Sequence, residues 1–194
     1  MFRKISTLLG VAALVSAGTI ALNAQAPAQS PQGSAAAAAA PDEHVVANPS
    51  YVSIHLDVDV NRSAADVWKR VGKYCDIGEW FQVAAGCKIL SGPDNDVGAV
   101  RSIANEVLVG KTELSYTYTQ PVRAGRPYNL YHGTLEARPV TATTSKLLYT
   151  LVWDNSMLAD DAAREKDKAS RTATFTRALQ NMKTLAEGGT LAPK

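Results

Sequence analysis

Residues 51–74 read YVSIHLDVDVNRSAADVWKRVGKY, and the hydrophobic period changes once within this stretch. In its first ten residues, apolar side chains alternate with polar ones, which is typical of a half-buried β-strand. Ser63 and Asp66 then have the spacing of a helix-capping pair, and the apolar residues after them recur three and four apart. The pattern predicts a helix over 64–74, followed by a short helical turn over 76–81.

Downstream of these helices the sequence predicts six more strands. The alternation is plainest at Leu147, Tyr149, Leu151 and Trp153, and the turn residues Gly, Pro, Asp and Asn cluster at 92–96. Because most of the connections have hairpin length, we expect the seven strands to form an antiparallel sheet. The six downstream strands are predicted at 86–90, 98–104, 106–112, 115–120, 128–138 and 143–154.

A long helix is predicted to end the fold. It begins near Asp160 and stops at the glycine pair 188–189, which is a C-terminal signal. At 1.5 Å per residue such a helix is roughly 40 Å long, enough to lie across the sheet. Its apolar face is predicted to carry Ala169, Thr172, Phe175, Leu179, Met182 and Ala186. The predicted fold class is therefore α+β.

The N-terminal residues have the features of an export signal. Arg3 and Lys4 precede an uncharged apolar stretch, and small residues follow it, so we predict a cleaved signal peptide over 1–26. An uncleaved membrane anchor is the alternative, since the apolar stretch is near the minimum length of a span. The Ala-, Pro-, Gln- and Ser-rich residues 27–49 are expected to be a disordered tether. The folded domain is predicted at 50–188, with a short tail at 189–194.

Export changes how the charge and the cysteines are interpreted. The chain has 20 basic and 18 acidic side chains, and loss of Arg3 and Lys4 leaves 18 of each, so we expect no nucleic-acid partner. In an oxidising compartment the two cysteines, Cys75 and Cys87, favour a disulfide, with two unpaired buried thiols as the alternative. They lack a neighbouring His or acidic cluster, and we predict no metal site.

At the residue level the chain resembles the SRPBCC superfamily, in its polyketide cyclase/dehydrase-like branch. The segments that carry the resemblance are AADVWKRVGKYCDIGEWF, GAVRSIANEVLVGKTELSYTY, YNLYHGTLEARP and SKLLYTLVWD, and together they cover nearly all of 51–187. The resemblance implies the helix-grip fold, in which a seven-stranded antiparallel curved sheet wraps around the long C-terminal helix. It also implies that a small apolar or amphipathic molecule is held between the sheet and that helix.

The family pattern also implies candidate ligand-binding residues. Arg101 and Glu106 flank a tight turn, where a guanidinium fixed by a carboxylate would orient a carbonyl or carboxylate of the ligand. The alternative is a surface cross-strand pair, worth less than about 1 kcal/mol. The aromatic candidates are equally compatible with core packing, and for Trp80 the choice is between a lid and a plug of the core. These aromatic residues are Trp80, Tyr116, Tyr118, Tyr131 and Trp153, with Trp68 as a further match.

The sequence gives little support for catalysis. It has no G-x-S-x-G, H-E-x-x-H or G-x-G-x-x-G motif, and we predict no cofactor. His44 lies in the predicted tether and His55 at a strand position expected to face solvent. His132 alternates with Leu130 and Thr134, so it is a candidate general base facing the interior, with a structural histidine as the alternative. If the protein is an enzyme, Glu106 and His132 are the candidate catalytic residues.

Three functions follow from these observations. The leading hypothesis is a non-catalytic protein of the periplasm, or a secreted one, that binds a small hydrophobic or amphipathic ligand and has no membrane span after processing. The second is a cyclase or dehydratase acting on a polyketide-like substrate, which export disfavours because carrier-bound intermediates are cytoplasmic. The third is an accessory module that binds a periplasmic protein such as a dehydrogenase.

Overall fold

The computed structural model describes Val46 and residues 48–193 of the chain. The predicted signal peptide, His44 and most of the predicted tether lie outside these described residues. Seven strands and three helices follow one another in the order β1 (Tyr51–Val60), α1 (Ala64–Val71), α2 (Ile77–Trp80), β2 (Ile89–Ser91), β3 (Val100–Arg101), β4 (Glu106–Lys111), β5 (Ser115–Thr119), β6 (Asn129–Pro139), β7 (Ser145–Asp154) and α3 (Asp161–Ala186).

The strands form one sheet in the order β1-β7-β6-β5-β4-β3-β2, and every neighbouring pair is antiparallel. This confirms the predicted helix-grip architecture of a seven-stranded curved sheet, a long C-terminal helix and two short helices after the first strand. Buried side chains from alternate positions of β5, β6 and β7 meet buried residues of α1, α2 and α3, and together they form one hydrophobic core. The inner face of the sheet therefore lies against the helices.

Helix α1 begins as predicted but ends earlier. The backbone N–H of Asp66 donates to Oγ of Ser63 at 3.2 Å, which caps the first turn. The N–H of Gly72 still donates to the Trp68 carbonyl oxygen at 2.8 Å, but the next two backbone donors bind side chains instead of helix carbonyls. The N–H of Lys73 donates to Oδ2 of Asp76 at 2.9 Å, and that of Tyr74 donates to Oδ1 of Asn95 at 2.9 Å. These contacts stop the helix three residues before the predicted end at 74.

Two predicted strands are much shorter in the structure. The strand predicted at 86–90 is Ile89–Ser91, and the strand predicted at 98–104 is only Val100–Arg101. The second one ends early because the backbone turns sharply before β4. Ala104 and Asn105 have φ of 50° and 54°, the left-handed region that non-glycine residues rarely adopt. This tight turn sets Arg101 directly opposite Glu106 in the register of β3 and β4.

The long helix begins at the predicted residue, but its buried face is shorter than predicted. Oδ1 of Asp160 accepts from the N–H of Ala163 at 2.8 Å, and 26 helical residues follow, about 39 Å in length. Ala169 is exposed, so the prediction of an apolar face from that residue onward was wrong for the first turns. The buried residues of α3 are Phe175, Ala178, Leu179, Met182 and Leu185. Within the described residues, no helix has the length and apolarity needed to cross a membrane.

A disulfide joins Cys75 to Cys87, with 5.3 Å between the Cα atoms. It closes a loop that contains the whole of α2 and therefore fixes this short helix against the rest of the domain. Trp80, at the end of α2, is completely buried and packs edge-on against Tyr149 of β7. The side-chain amide of Asn181 on α3 donates to the Trp80 carbonyl oxygen at 2.8 Å, which ties α2 to the long helix.

Candidate functional site

The inner sheet face contains a buried ion pair between β3 and β4. Nε of Arg101 donates to Oε2 of Glu106 at 2.7 Å, and Nη1 of Arg101 donates to the Tyr74 carbonyl oxygen at 2.7 Å. Arg101 is 0 % exposed and Glu106 is 3 % exposed. The pair is thus an interior feature and not a surface cross-strand pair.

Tyrosine rings enclose the guanidinium. The Cζ atom of Arg101 lies 4.3 Å from the ring centroid of Tyr74 and 4.6 Å from that of Tyr118. Tyr116 and Tyr118 both point inward because they occupy alternate positions of β5. The hydroxyl groups of Tyr118 and Tyr149 are 2.8 Å apart and share a hydrogen bond. The charge is therefore surrounded by aromatic faces, which attract a cation.

Gly133 makes room for one of these rings. It is the register partner of Tyr118 in the pairing of β5 with β6. A Cβ atom at position 133 would overlap the Tyr118 ring and its hydroxyl. The absence of a side chain on Gly133 thus lets Tyr118 lie across β6 and reach Tyr149.

Burial and charge set the protonation of the pair. Burial raises the pKa of Glu106, and Arg101 and Gln120 oppose that rise. Burial acts to lower the pKa of Arg101, but Tyr116 and Glu106 raise it well above its ordinary value, so the guanidinium remains charged. A carboxylate that accepts charge-assisted hydrogen bonds from a fixed cation is favoured in its ionised form.

Burial raises the pKa of five tyrosines. Their phenol groups remain neutral hydrogen-bond donors at neutral pH. The hydroxyl of Tyr74 is buried and has no hydrogen-bond partner among the described residues. A buried donor of this kind costs about 1–3 kcal/mol, so it is a candidate contact for a bound molecule. The five are Tyr74, Tyr116, Tyr118, Tyr131 and Tyr149.

A chain of hydrogen bonds leads from the ion pair to the surface. Nε2 of Gln120 donates to Oε1 of Glu106 at 2.9 Å, and the hydroxyl of Tyr128 donates to Oε1 of Gln120 at 2.7 Å. Nη1 of Arg126 donates to the Tyr128 hydroxyl at 2.9 Å. Gln120, Arg126 and Tyr128 all belong to the connection between β5 and β6, residues 120–128, which we call the mouth loop.

Helix α3 holds the mouth loop from the other side. The guanidinium of Arg171 lies 4.6 Å from the ring centroid of Tyr128, and it also faces Tyr131 at 5.3 Å and Trp153 at 5.0 Å. Asp167 accepts from Nε of Arg171 at 3.0 Å and from Nε1 of Trp153 at 2.9 Å. Tyr128 is therefore fixed by a hydrogen bond to Gln120 and by stacking with the long helix.

In this conformation the interior around the ion pair is filled by side chains. Arg101, Tyr149 and Trp153 each have 0 % exposure, so no space as large as a water molecule adjoins them. Among the described residues, open grooves and clefts lie at the surface of the domain. One is a groove of about 250 Å³ lined by Val46, by mouth-loop residues and by Met157, and another is a cleft of about 70 Å³ beside Trp80 and Phe81.

The structure brings most of the sequence-predicted site residues to one face. Arg101, Glu106, Tyr116, Tyr118, Tyr131 and Trp153 all point into the interior. Trp80 is buried beside Tyr149 as part of the core. His132 lies half-buried on the opposite face of β6 and contacts the Leu130 carbonyl oxygen, so it does not meet Glu106 in the interior. The residues that the sequence did not single out are Tyr74, Gln120, Tyr128, Tyr149 and Arg171.

The described residues also show where His55 lies and whether potential metal ligands cluster. His55 is exposed, as its strand position predicted. The described part of the chain contains no cluster of three or more His, Cys, Asp or Glu residues that would hold a metal ion.

The antiparallel sheet, the long C-terminal helix and the tyrosine-lined interior between them define a helix-grip protein. The family model described as polyketide cyclase/dehydrase and lipid transport matches residues 51–187, and the chain belongs to that family, a branch of the SRPBCC superfamily. Members of this family bind small hydrophobic ligands. A comparison with curated protein sequences gave no match.

Solved structures show the same fold at low sequence identity. A Thermobifida fusca protein solved by NMR has a TM-score of 0.58 and 22 % identity over 72 % of this chain and 97 % of its own. The Zhui aromatase/cyclase of Streptomyces sp. R1128 has a TM-score of 0.54 and 18 % identity over 72 % of this chain and 99 % of its own. Truncated norcoclaurine synthase from Thalictrum flavum has a TM-score of 0.53 and 12 % identity, over 74 % and 98 %.

Proposed function

We propose that this protein is an exported, non-catalytic carrier of a small amphipathic molecule, which binds between the inner sheet face and α3. The observation that carries the proposal is the buried Arg101–Glu106 pair within a cluster of tyrosines. A buried ion pair is weak evidence for stability, because apolar side chains of the same volume often stabilise a core as well. The pair is therefore better explained as a polar anchor for a ligand.

The unpartnered Tyr74 hydroxyl supports this interpretation. It lies in the same cluster as Arg101, whose guanidinium stacks on the Tyr74 ring. A ligand with one oxygen acceptor and an apolar body would accept from this hydroxyl and insert between the aromatic faces once these side chains move apart. The preferred ligand is thus an apolar molecule that carries a carbonyl, hydroxyl or carboxylate group.

Ligand entry requires a movement, since the interior is filled in the conformation described above. The mouth loop is the element that would move, because Tyr128 is held there only by a few contacts. These are its hydrogen bonds with Gln120 and Arg126, its stacking on Arg171 and its ring contact with Tyr131 at 5.5 Å. Breaking them exposes Gln120 and then Glu106, the outermost polar groups of the proposed site.

Export supports a carrier more than an enzyme. The proposed signal peptide over 1–26 would place the mature chain in the periplasm or outside the cell. A cyclase or dehydratase of carrier-bound intermediates would have no substrate there. The two groups considered for acid–base catalysis, Glu106 and His132, also lie on opposite faces of the sheet. A role as an accessory module for a periplasmic dehydrogenase would need a protein partner in place of a ligand.

The test combines native mass spectrometry with thermal shift. Protein recovered after export is tested for binding of three probes: palmitic acid, hexadecan-1-ol and 2-naphthoic acid. We expect at least one probe to bind with one-to-one stoichiometry and to raise the melting temperature. The variant Arg101→Met/Glu106→Leu keeps the interior volume but removes the polar anchor, so we expect it to fold and to bind that probe at least tenfold more weakly.

The exposed strand pair Lys146 and Asp57, joined at 2.6 Å, supplies the matched control. The variant Lys146→Met/Asp57→Leu removes an ion pair of the same kind from the outer face and should bind like the wild type. The proposal is rejected if no probe binds the wild type, or if the Arg101→Met/Glu106→Leu variant binds as tightly. Turnover of a polyketide-like substrate that is lost in Glu106→Gln would favour the enzyme instead.

A further inference from the structure

Three exposed apolar side chains lie in or beside the mouth loop. Val122 is 48 % exposed, Leu130 is 45 % exposed and Met157 is 42 % exposed. Val122 and Met157 line the same groove, and Val122 and Leu130 line the small cleft that adjoins it. The three therefore form one surface, which we call the mouth patch together with Arg123 and Arg126 of the same loop.

A strained backbone conformation at Leu130 turns its side chain outward. Leu130 has φ of 48°, in the left-handed region, where a bulky side chain is a genuine outlier. Its N–H is held by Oδ1 of Asn129 at 2.8 Å. Strained residues of this kind persist where they have a function. Here the strain leaves a leucine in contact with water instead of with the core.

The charge of the mouth patch is positive. Arg123 and Arg126 lie three residues apart, and the loop contains no acidic residue. Neither arginine forms an ion pair within the described part of the chain, and the guanidinium of Arg126 donates to the Tyr128 hydroxyl at 2.9 Å. An uncompensated positive charge beside exposed aliphatic side chains is suited to a surface that is both anionic and apolar.

We propose that the mouth patch docks on an anionic lipid surface, with Val122, Leu130 and Met157 entering the boundary between headgroups and acyl chains. The arginines lie beside them at the level of the lipid phosphates. Leu and Val are under-represented among the residues that dominate binding energy at protein interfaces, so exposed Val122 and Leu130 suit a lipid surface better than a protein partner. The one aromatic residue of the loop, Tyr128, is occupied by Gln120 and Arg171.

Docking of the mouth patch on a membrane does not require a ligand in the interior, but it would bring the proposed ligand site next to the lipid. The surface that meets the lipid is the loop that covers the proposed ligand. A water-insoluble ligand would thus pass between the membrane and the interior without crossing bulk water. If the proposed carrier function fails, vesicle binding by the mouth patch remains testable by itself.

The experiment measures how much protein co-sediments with lipid vesicles. The wild type and all variants are recovered after export, so that they have the same N-terminus. Wild-type protein is expected to bind phosphatidylglycerol/phosphatidylcholine vesicles and to dissociate as salt rises. We expect Arg123→Glu to reduce the partition coefficient by about a factor of five or more, since loss of one basic residue near an anionic surface costs roughly a factor of five and the new carboxylate adds repulsion. Leu130→Asp is expected to reduce it by a similar factor, because it places a charge where the acyl chains begin.

Two variants control for exposure and net charge. Val140 is 57 % exposed but follows the far end of β6, so Val140→Asp should bind vesicles like the wild type. Lys69→Glu makes the same charge reversal as Arg123→Glu on the exposed side of α1 and should also have little effect. The proposal is overturned if the wild type does not bind anionic vesicles, if it binds pure phosphatidylcholine equally well, or if Arg123→Glu and Leu130→Asp bind unchanged. A protein partner that is lost in these two variants, without vesicle binding, would overturn it as well.

Discussion

The hydroxyl of Tyr128 donates a 2.7 Å hydrogen bond to Oε1 of Gln120, so the two ends of the mouth loop are joined beside the buried ion pair. Gln120 donates in turn to Glu106. A surface loop and an interior charge are thus linked through one side chain. Movement of Gln120 would therefore change the hydrogen bonding of Glu106.

Removal of this hydroxyl should loosen the loop without unfolding the domain. Tyr128→Phe deletes two hydrogen bonds, each worth about 0.5–1.5 kcal/mol, but keeps the ring stacked on Arg171. We expect faster amide hydrogen exchange over 121–130 and unchanged exchange in β7. Tyr51→Phe is the control, because Tyr51 is 63 % exposed. Unchanged exchange in the mouth loop of Tyr128→Phe would show that the hydroxyl does not hold it.

Removing one partner of the buried ion pair should lower the free energy of unfolding strongly, whereas replacing both partners by apolar side chains should lower it much less. Glu106→Ala leaves the Arg101 charge buried without its carboxylate, and we expect a loss of about 3–5 kcal/mol in the free energy of unfolding, measured in urea. Arg101→Met/Glu106→Leu should recover most of that loss, since no charge remains in the core. If the double variant is as unstable as Glu106→Ala, the pair stabilises the fold in its own right.

The sequence predicted the elements of the fold better than the position of its charges. Strict alternation in β1 and β7 predicted which side chains face the core. In β6 both faces carry mixed residues, so alternation did not decide whether Tyr131 or His132 points inward. The spacing of Arg101 and Glu106 predicted that they pair. It did not predict their burial, which depends on the Tyr74 carbonyl 27 residues away and on Gln120 from β5's far end.

The buried tyrosines make the fold sensitive to alkali. Burial raises the pKa of Tyr116, Tyr118 and Tyr149 in the folded state, whereas an unfolded tyrosine has a pKa of about 10. Below that pH both states keep their phenol protons and stability is unaffected. Above it only the unfolded chain ionises, so the free energy of unfolding falls by up to about 1.4 kcal/mol per pH unit for each such tyrosine.

The measurement follows phenolate absorbance and circular dichroism together as pH rises above 10. We expect the phenolate signal of the buried tyrosines to appear only when the helical signal is lost. Reversible ionisation of these tyrosines with an intact helical signal would contradict the closed interior.

The disulfide should contribute mainly by restricting the unfolded chain. Cys75 and Cys87 are 12 residues apart, and closing a loop of that length is worth roughly 3 kcal/mol on the chain-entropy model. We expect Cys75→Ser/Cys87→Ser to lower the free energy of unfolding by about that amount, measured in urea. Reduction of the wild type should give the same urea midpoint as the double variant. A midpoint equal to that of the oxidised wild type would mean that the loop is already ordered without the bond.

At Gly133 the addition of a single methyl group should disturb the tyrosine cluster. Gly133→Ala places a methyl group against the Tyr118 ring, and that ring is held by the Tyr149 hydroxyl and by the face of Arg101. Because the ring has no free space to enter, we expect a loss of about 1–3 kcal/mol, the usual cost of overpacking.

The matched control for this change is Gly110→Ala in β4, where a Cβ would make an ordinary 3.7 Å contact with Thr117. We expect Gly110→Ala to be neutral or slightly stabilising, since glycine is entropically costly inside a strand. Tyr118→Leu shortens the side chain and should make a following Gly133→Ala change much less costly, which a double-mutant cycle in urea measures as a coupling energy. If the effects of Tyr118→Leu and Gly133→Ala are additive, the strain does not arise from contact with the Tyr118 ring. If Gly110→Ala and Gly133→Ala lower the free energy of unfolding equally, the cause is the strand backbone and not the tyrosine cluster.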